Sequence, residues 1–286
     1  MGKTFRWKAR YSVLSVLFVA WIVSFLDRMA MSVAIPYIAT DFSLTPVEMG
    51  EVMSAFFASY SLSQIPGGLL GDIVGVRKVA TVAMLWWSAF TAVTGAAGNL
   101  LQMLIARFVF GLGEGVYPAC LFKTVAVWFP RKERATATAV KFAAGPLGAA
   151  LSPLVVGAIM SVWGWRAVFY CLCLPGVLVA VLFWKFVPDD PAHRGTPEEL
   201  AEIEEDDVPA TQTSAAKLSF REILRQPHIV KYFLILFCFD IAYWGFSTWL
   251  PTYLIKARGF SLSEMGVAAS LPFFAGALGC VLGGWV

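Results

Sequence analysis

Eight apolar runs, most of them about 20 residues long or longer, follow one another along this 286-residue chain. A run of that length crosses the hydrocarbon core of a bilayer once as an α-helix. The composition agrees: 58% of the residues are hydrophobic and 14% charged, where a soluble chain carries roughly 25% charged residues. The fold class that follows is an all-α membrane protein that crosses the bilayer repeatedly. The spans run over residues 11–37, 48–70, 79–98, 100–128, 135–162, 166–187, 229–254 and 263–286.

Basic residues orient these spans. Lys3, Arg6, Lys8 and Arg10 precede the first run, and Arg77, Lys78, Arg131, Lys132 and Arg134 fall in loops of the same side. The opposite loops hold only Arg166, Lys256 and Arg258. That bias places the N-terminus in the cytoplasm. The N-terminal run is long and lacks a small-residue cleavage site, so it reads as a retained span rather than a signal peptide. A net charge of +3 gives no reason to expect a nucleic-acid partner.

Residues 188–228 interrupt the pattern. They are polar, contain prolines and carry the acidic run Glu198, Glu199, Glu202, Glu204, Glu205, Asp206, Asp207. This reads as a solvated cytoplasmic linker, partly disordered, with a short amphipathic helix near residues 219–224. The domain expectation is therefore a six-helix unit over 1–187, a linker over 188–228, and the first two helices of a second unit over 229–286. Residues 277–286 are apolar and glycine-rich, which reads as a chain that stops inside a span. All five cysteines lie in predicted spans, and Cys171-x-Cys173 lacks companion metal ligands, so neither a disulfide framework nor a metal site is expected. No cofactor is expected, and nothing resembles a nucleophile elbow or a phosphate loop, so the chain does not read as an enzyme.

Charges inside the spans are the candidates for function, because an ionised side chain at the bilayer centre costs at least about 2.5–3.5 kcal/mol and needs a polar cavity or a partner. Arg107 and Glu114 lie seven residues apart, about two helical turns, on one face of the fourth span. Gly111 and Gly115 continue the row of Arg107 and permit close approach of a neighbouring helix. A structural ion pair and a transport site both remain open readings. Asp27 and Arg28 sit mid-way along the first span, where burial and nearby cations pull the carboxylate in opposite directions. Adjacent residues on a helix point about 100° apart, so these two are not expected to pair with each other. Lys141, in the fifth span, either reaches toward the surface or adds an anion contact. Asp240 lines a cavity or falls near the cytoplasmic interface.

Several motifs add a resemblance. Gly68-Leu69-Leu70-Gly71-Asp72-Ile73-Val74-Gly75-Val76-Arg77-Lys78 resembles the signature G-x-L-x-D-R-x-G-R-[KR] of the major facilitator superfamily, keeping Gly68, Asp72, Gly75 and Arg77 while Ile73 and Val76 depart from it. Phe25-Leu26-Asp27-Arg28, Gly111 to Ala119, Trp128-Phe129-Pro130-x2-Glu133-Arg134 and Thr248 to Leu254 are similar to the anion:cation symporter family within it. The resemblance covers essentially the whole chain. It implies two six-helix halves about a central cavity, and a monomer in the cell inner (plasma) membrane. It also implies proton-coupled symport of a small organic anion such as a sugar acid.

By that resemblance Asp27 and Glu114 are the protonation sites, Arg107 is the partner of ionised Glu114, and Arg28 binds the substrate carboxylate. Tyr60 matches a substrate-contacting tyrosine, and Gln64 one turn on extends its polar face. Phe25 stands where relatives often have Tyr, and Gly145-Pro146-Leu147-Gly148 where some sugar-acid carriers have a glutamine. Gly68, Asp72, Gly75 and Arg77 form the conformational motif, with Asp72 capping a helix or pairing with a basic residue. The partners expected are the anion, protons and the lipid membrane. An antiporter, or a truncated chain that does not transport, are the alternatives.

Overall fold

The computed structural model describes residues 7–206 and 225–283, so the helix expected near 219–224 lies outside the described residues. Nine α-helices are found there: α1 Ala9–Phe42, α2 Pro46–Val74, α3 Val76–Ala96, α4 Leu100–Glu114, α5 Tyr117–Trp128, α6 Arg131–Phe186, α7 Pro197–Asp206, α8 Pro227–Lys256 and α9 Leu262–Gly283. They make the eight expected passes, with α4 and α5 sharing one pass and α6 making two.

Local chemistry explains both departures from one helix per pass. Pro118 sits in the first turn of α5. Its ring has no N–H and would clash with the carbonyl four residues back, that of Glu114. The helix therefore ends at Glu114 and restarts at Tyr117. In the 56-residue α6, Gly164 has φ +78°, the left-handed region that glycine enters freely. A straight helix of that length would reach about 84 Å, far more than a bilayer needs. Gly164 folds it into two arms.

α2 is the least apolar pass, diluted by Ser54, Ser59, Ser61, Ser63, Gln64, Gly67 and Gly68, and it does not rank with the stretches that qualify as spans on hydropathy alone. Its position comes from packing. A methyl group on Gly111 would lie 2.6 Å from the carbonyl oxygen of Phe56, and one on Gly67 would lie 2.7 Å from the Cα of Val116. Bare glycines thus set α2 directly on α4 and α5. Gly148 sets α6 on α1 in the same way, where a methyl would meet the Ile22 carbonyl at 2.5 Å.

The buried apolar residues form two clusters. One gathers Val13, Leu17, Trp21, Phe25, Trp87, Tyr117 and Phe183, and the other Ile35, Ile38, Met49, Val156, Trp165 and Met265. α1 contributes residues up to Met29 to the first and from Ala30 onward to the second. Asp27 and Arg28 therefore lie where one apolar layer gives way to the next.

The acidic run up to Asp206 forms the helix α7 rather than an irregular solvated linker. Thr196 and Glu199 cap α7 reciprocally, with Thr196 N–H donating to Glu199 Oε2 at 3.0 Å and Glu199 N–H to Thr196 Oγ1 at 3.3 Å. Lys8 Nζ donates to Glu202 Oε1 at 2.6 Å, and Arg10 reaches Glu202 at 2.8 Å and Glu133 at 3.1 Å. α7 is thereby pinned across the starts of α1 and α6. The hydrogen bond from Lys8 holds Glu202 below the ordinary glutamate pKa. A carboxyl whose folded pKa is depressed adds stability above its unfolded pKa and loses it as pH falls through the folded one. Protection from hydrogen exchange across residues 197–206, taken relative to the intrinsic rate at each pH, should therefore be high at neutral pH and fall as pH drops below the usual glutamate range. Glu202→Gln should show the reduced protection at every pH.

Candidate functional site

Four charged side chains from two helices converge in the interior. Arg28 on α1 and Glu114 at the end of α4 form an ion pair of 3.2 Å, both almost fully buried. Ser24, one turn before Arg28, also donates to Oε1 of Glu114. The other carboxylate oxygen, Oε2, is buried with no hydrogen-bond partner. Asp27 is buried with neither of its oxygens hydrogen-bonded, and Glu114 and Arg107 are its charged neighbours.

The partner of Glu114 differs from the one expected. Seven residues of α-helix separate Arg107 from Glu114 by about 10.5 Å along the axis, so a shared face does not bring the two groups into contact. Among the described residues no carboxylate lies within ion-pair distance of Arg107. Its guanidinium rests instead over Phe110 at 4.6 Å and Phe56 at 5.0 Å. The glycine row serves packing, as expected: Gly111 and Gly115 face Ser59 and Ser63 of α2.

Aromatic rings enclose the Arg28 guanidinium. Its carbon lies 4.6 Å from the Tyr60 ring, 4.9 Å from Phe25, 5.1 Å from Trp244 and 5.3 Å from Phe56. Tyr60, singled out by the family resemblance, lies beside Arg28. Trp244 is the residue that sequence reading missed. It comes from α8, near-parallel to Phe25 at 6.1 Å and edge-on to Phe57 at 5.3 Å, and only a docked α8 reveals its partners. Phe25 supplies ring area without a hydroxyl.

Other expected positions fall elsewhere. Gln64 is exposed and lines a cleft with Gly68, Asp72 and Lys123, away from Arg28. Asp240 is exposed on α8. Lys141 does not reach a surface: it is fully buried, its ammonium has no hydrogen-bond partner, and three rings surround it.

The residues of the motif around Gly68–Arg77, expected to have a conformational role, lie close together. Lys123 pairs with Asp72 at 2.6 Å and donates to the Gly71 carbonyl at 3.0 Å. Gly75, at φ +98°, makes the turn from α2 to α3, and a methyl there would meet Asp189 at 2.8 Å. Asp189 accepts from the Arg77 backbone N–H at 2.8 Å, while the Arg77 side chain donates to the Trp184 carbonyl at 2.7 Å. Gly68 faces Ala119 of α5 at ordinary contact distance. The motif thus ties the α2–α3 turn to α5 and to the end of α6.

The sequence profile of the Major Facilitator Superfamily matches residues 17–286. The chain belongs to that superfamily. It is 36% identical over 282 residues to a probable sulfoacetate transporter, SauU, of Cupriavidus necator, covering 98% of this chain and 65% of that protein. It is 33% identical over 279 residues to the hexuronate transporter of Bacillus subtilis, covering 98% and 64%. With the probable galactarate/D-glucarate transporter GarP of Escherichia coli it shares 32% over 292 residues, covering 96% and 66%. The chain thus spans about two thirds of the length of these relatives. Their names, all of acid transporters, bear out the narrower family resemblance and leave no place for an enzyme reading. Among solved structures, a bacterial homologue of the human lysosomal transporter Spinster superposes with a TM-score of 0.77 at 24% identity, covering 92% of this chain and 59% of that one. A D-xylose–proton symporter superposes at 0.70 with 18% identity, covering 95% and 67%. These superpositions establish the fold.

Proposed function

We propose that this protein carries a small organic anion across the membrane together with protons, by alternating access between two helical halves. The observation that carries the reading is the buried Arg28–Glu114 pair inside a box of four rings. A planar guanidinium binds a carboxylate through two charge-assisted hydrogen bonds. In the resting pair Glu114 occupies that guanidinium, so a substrate carboxylate and ionised Glu114 compete for one cation.

A proton resolves the competition. Oε2 of Glu114 has no donor and is the free position for it. Once neutral, Glu114 releases Arg28 to the substrate, and the aromatic box presents faces to its carbon skeleton. Asp27, buried without hydrogen bonds and with Arg107 and Glu114 as its charged neighbours, is the site of the second proton. Tyr60 and Trp244 close the box from α2 and α8. The relatives' acid substrates support an acid here. The same reading puts the N-terminus in the cytoplasm, the protein in the plasma membrane as a monomer, and the 188–228 linker between the halves. The pairs Asp72–Lys123 and Arg77–Asp189 hold one conformational state.

The test uses the protein expressed from its own gene and reconstituted in liposomes, with lumenal pH followed while a panel of organic acids is added outside. One acid class should acidify the lumen, and Glu114→Gln should abolish that signal while substrate binding persists. Acid-driven pH change that survives in both Glu114→Gln and Asp27→Asn would remove the coupling roles given to these carboxylates.

A further inference from the structure

The packing that seats α2 leaves a gap on the outside of the bundle. Gly67 and Gly111 set α2 on α4 and α5, whereas α3 packs chiefly along α6 and α4 and only lightly against α2. Between them lies a groove of about 400 Å³, within the roughly 300–1,000 Å³ of ligand sites. Leu70 and Val74 form one wall, Val79, Val82 and Trp86 the other, and Leu112 and Gly113 the floor. Trp86 spends its indole N–H on the Val109 carbonyl at 2.9 Å, so the inner end of the groove offers no free polar group. Val82 is 62% exposed and Leu70 and Val74 47% each, so these walls face outward rather than into the core.

One end of the groove is charged. Lys78, the third residue of α3, lines it just beyond the Gly75 turn and is exposed. Among the described residues no carboxylate lies within ion-pair distance of Lys78. The carboxylates beside the turn are engaged elsewhere, Asp72 by Lys123 and Asp189 by the Arg77 N–H. The mouth therefore has a cation for a phosphate and no spare carboxylate for the ammonium of a zwitterionic headgroup.

Length completes the match. Lys78 and Trp86 are eight residues apart on α3, about 12 Å along its axis. One leaflet of a bilayer has a hydrocarbon depth of about 15 Å. A groove that is apolar for most of that depth and basic at the headgroup end suits one molecule with a hydrocarbon chain and a negative head.

We propose that this groove is a binding site for one anionic phospholipid of the cytoplasmic leaflet, an acyl chain lying between α2 and α3 and the headgroup phosphate on Lys78. Leu112 and Gly113 immediately precede Glu114, so the bound chain braces the end of α4 that carries this carboxylate. The leaflet follows from the orientation proposed above; the site itself does not depend on symport.

Native mass spectrometry of the protein expressed from its own gene tests this, with dioleoyl phosphatidylglycerol and dioleoyl phosphatidylcholine titrated in detergent. Melting temperature is read alongside, also with glycerophosphoglycerol, the same headgroup without tails. Wild type should retain one phosphatidylglycerol at least about fivefold more tightly than phosphatidylcholine, as one basic residue at the surface supplies. Lys78→Gln should erase that preference and Lys78→Arg should keep it. Val82→Trp fills the groove from an exposed position, and should remove the retained lipid under either headgroup while the melting temperature in lipid-free detergent holds. Equal retention of the two lipids by wild type, or unchanged phosphatidylglycerol retention in both Lys78→Gln and Val82→Trp, overturns the site. Stabilisation by glycerophosphoglycerol equal to that by the lipid would make it a site for a soluble anion instead. No retained lipid in wild type, with a lower lipid-free melting temperature in Val82→Trp, would show that protein fills the groove and would equally overturn the proposal.

Discussion

Arg28→Met is expected to destabilise the folded protein severely, and the double substitution Arg28→Met/Glu114→Gln to recover much of the loss. Removing Arg28 alone leaves the Glu114 carboxylate buried with Ser24 as its remaining donor. Breaking one side of a buried pair costs about 3–5 kcal/mol, because the surviving charge stays desolvated. Neutralising Glu114 as well removes that penalty, so the two effects should be strongly non-additive. Thermal melting in detergent of the four proteins of this cycle reads the difference. Additive losses would show that Glu114 has another partner, with Arg107 the first to examine. Glu114→Gln alone leaves Arg28 ionised among four rings and should cost less, since the guanidinium keeps its ring contacts.

The second large effect concerns the α2–α4 contact. Gly111→Val and Gly115→Val should each prevent the protein from reaching its native packing. A Cβ at residue 111 would press on the Phe56 carbonyl and Ser59 hydroxyl, and one at residue 115 on the Tyr60 carbonyl and Ser63 hydroxyl. Backbone cannot yield as a flexible side chain does, so the helices must part, and overpacking of this kind costs about 1–3 kcal/mol or more. Separation would also move Tyr60 away from Arg28. Gly50→Ala in the first turns of α2 is the control. Nothing lies within 4 Å of its added methyl, and the substitution should be neutral or stabilising by up to about 1 kcal/mol. Yield of monodisperse protein and melting temperature separate the two classes.

Much of this architecture is written in the sequence because the bilayer imposes a length and a polarity on every pass. The spans before and after Gly164 were legible for that reason, as was the tight contact implied by Gly111 and Gly115. The break between α4 and α5 had its signal in Pro118, although the apolar run continued through it unmarked. α7 had one too: Thr196 followed three residues later by Glu199 is a capping box, but the acidic composition suggested solvent. The Arg28–Glu114 pair was not legible. Which face of α1 turns toward α4 depends on helix rotation, and rotation is decided by packing across the bundle rather than by spacing within one helix. Trp244 was hidden for the same reason, since its ring matters only through a partner more than 200 residues earlier in the chain.

The turn at Gly164 has a mechanical consequence. One residue joins the two arms of α6, and Asp41 from the end of α1 clasps the same turn through Trp165 at 2.7 Å and Arg166 at 3.0 Å. The joint has no slack. The arm that carries Lys141 and lies along α1 cannot slide past the arm that lies along α3. Any tilt of one arm relative to the other is therefore expected to pivot at this clasp. A peptide tag inserted after Gly164 would lengthen that joint, so reporters of motion in this protein belong at other loops.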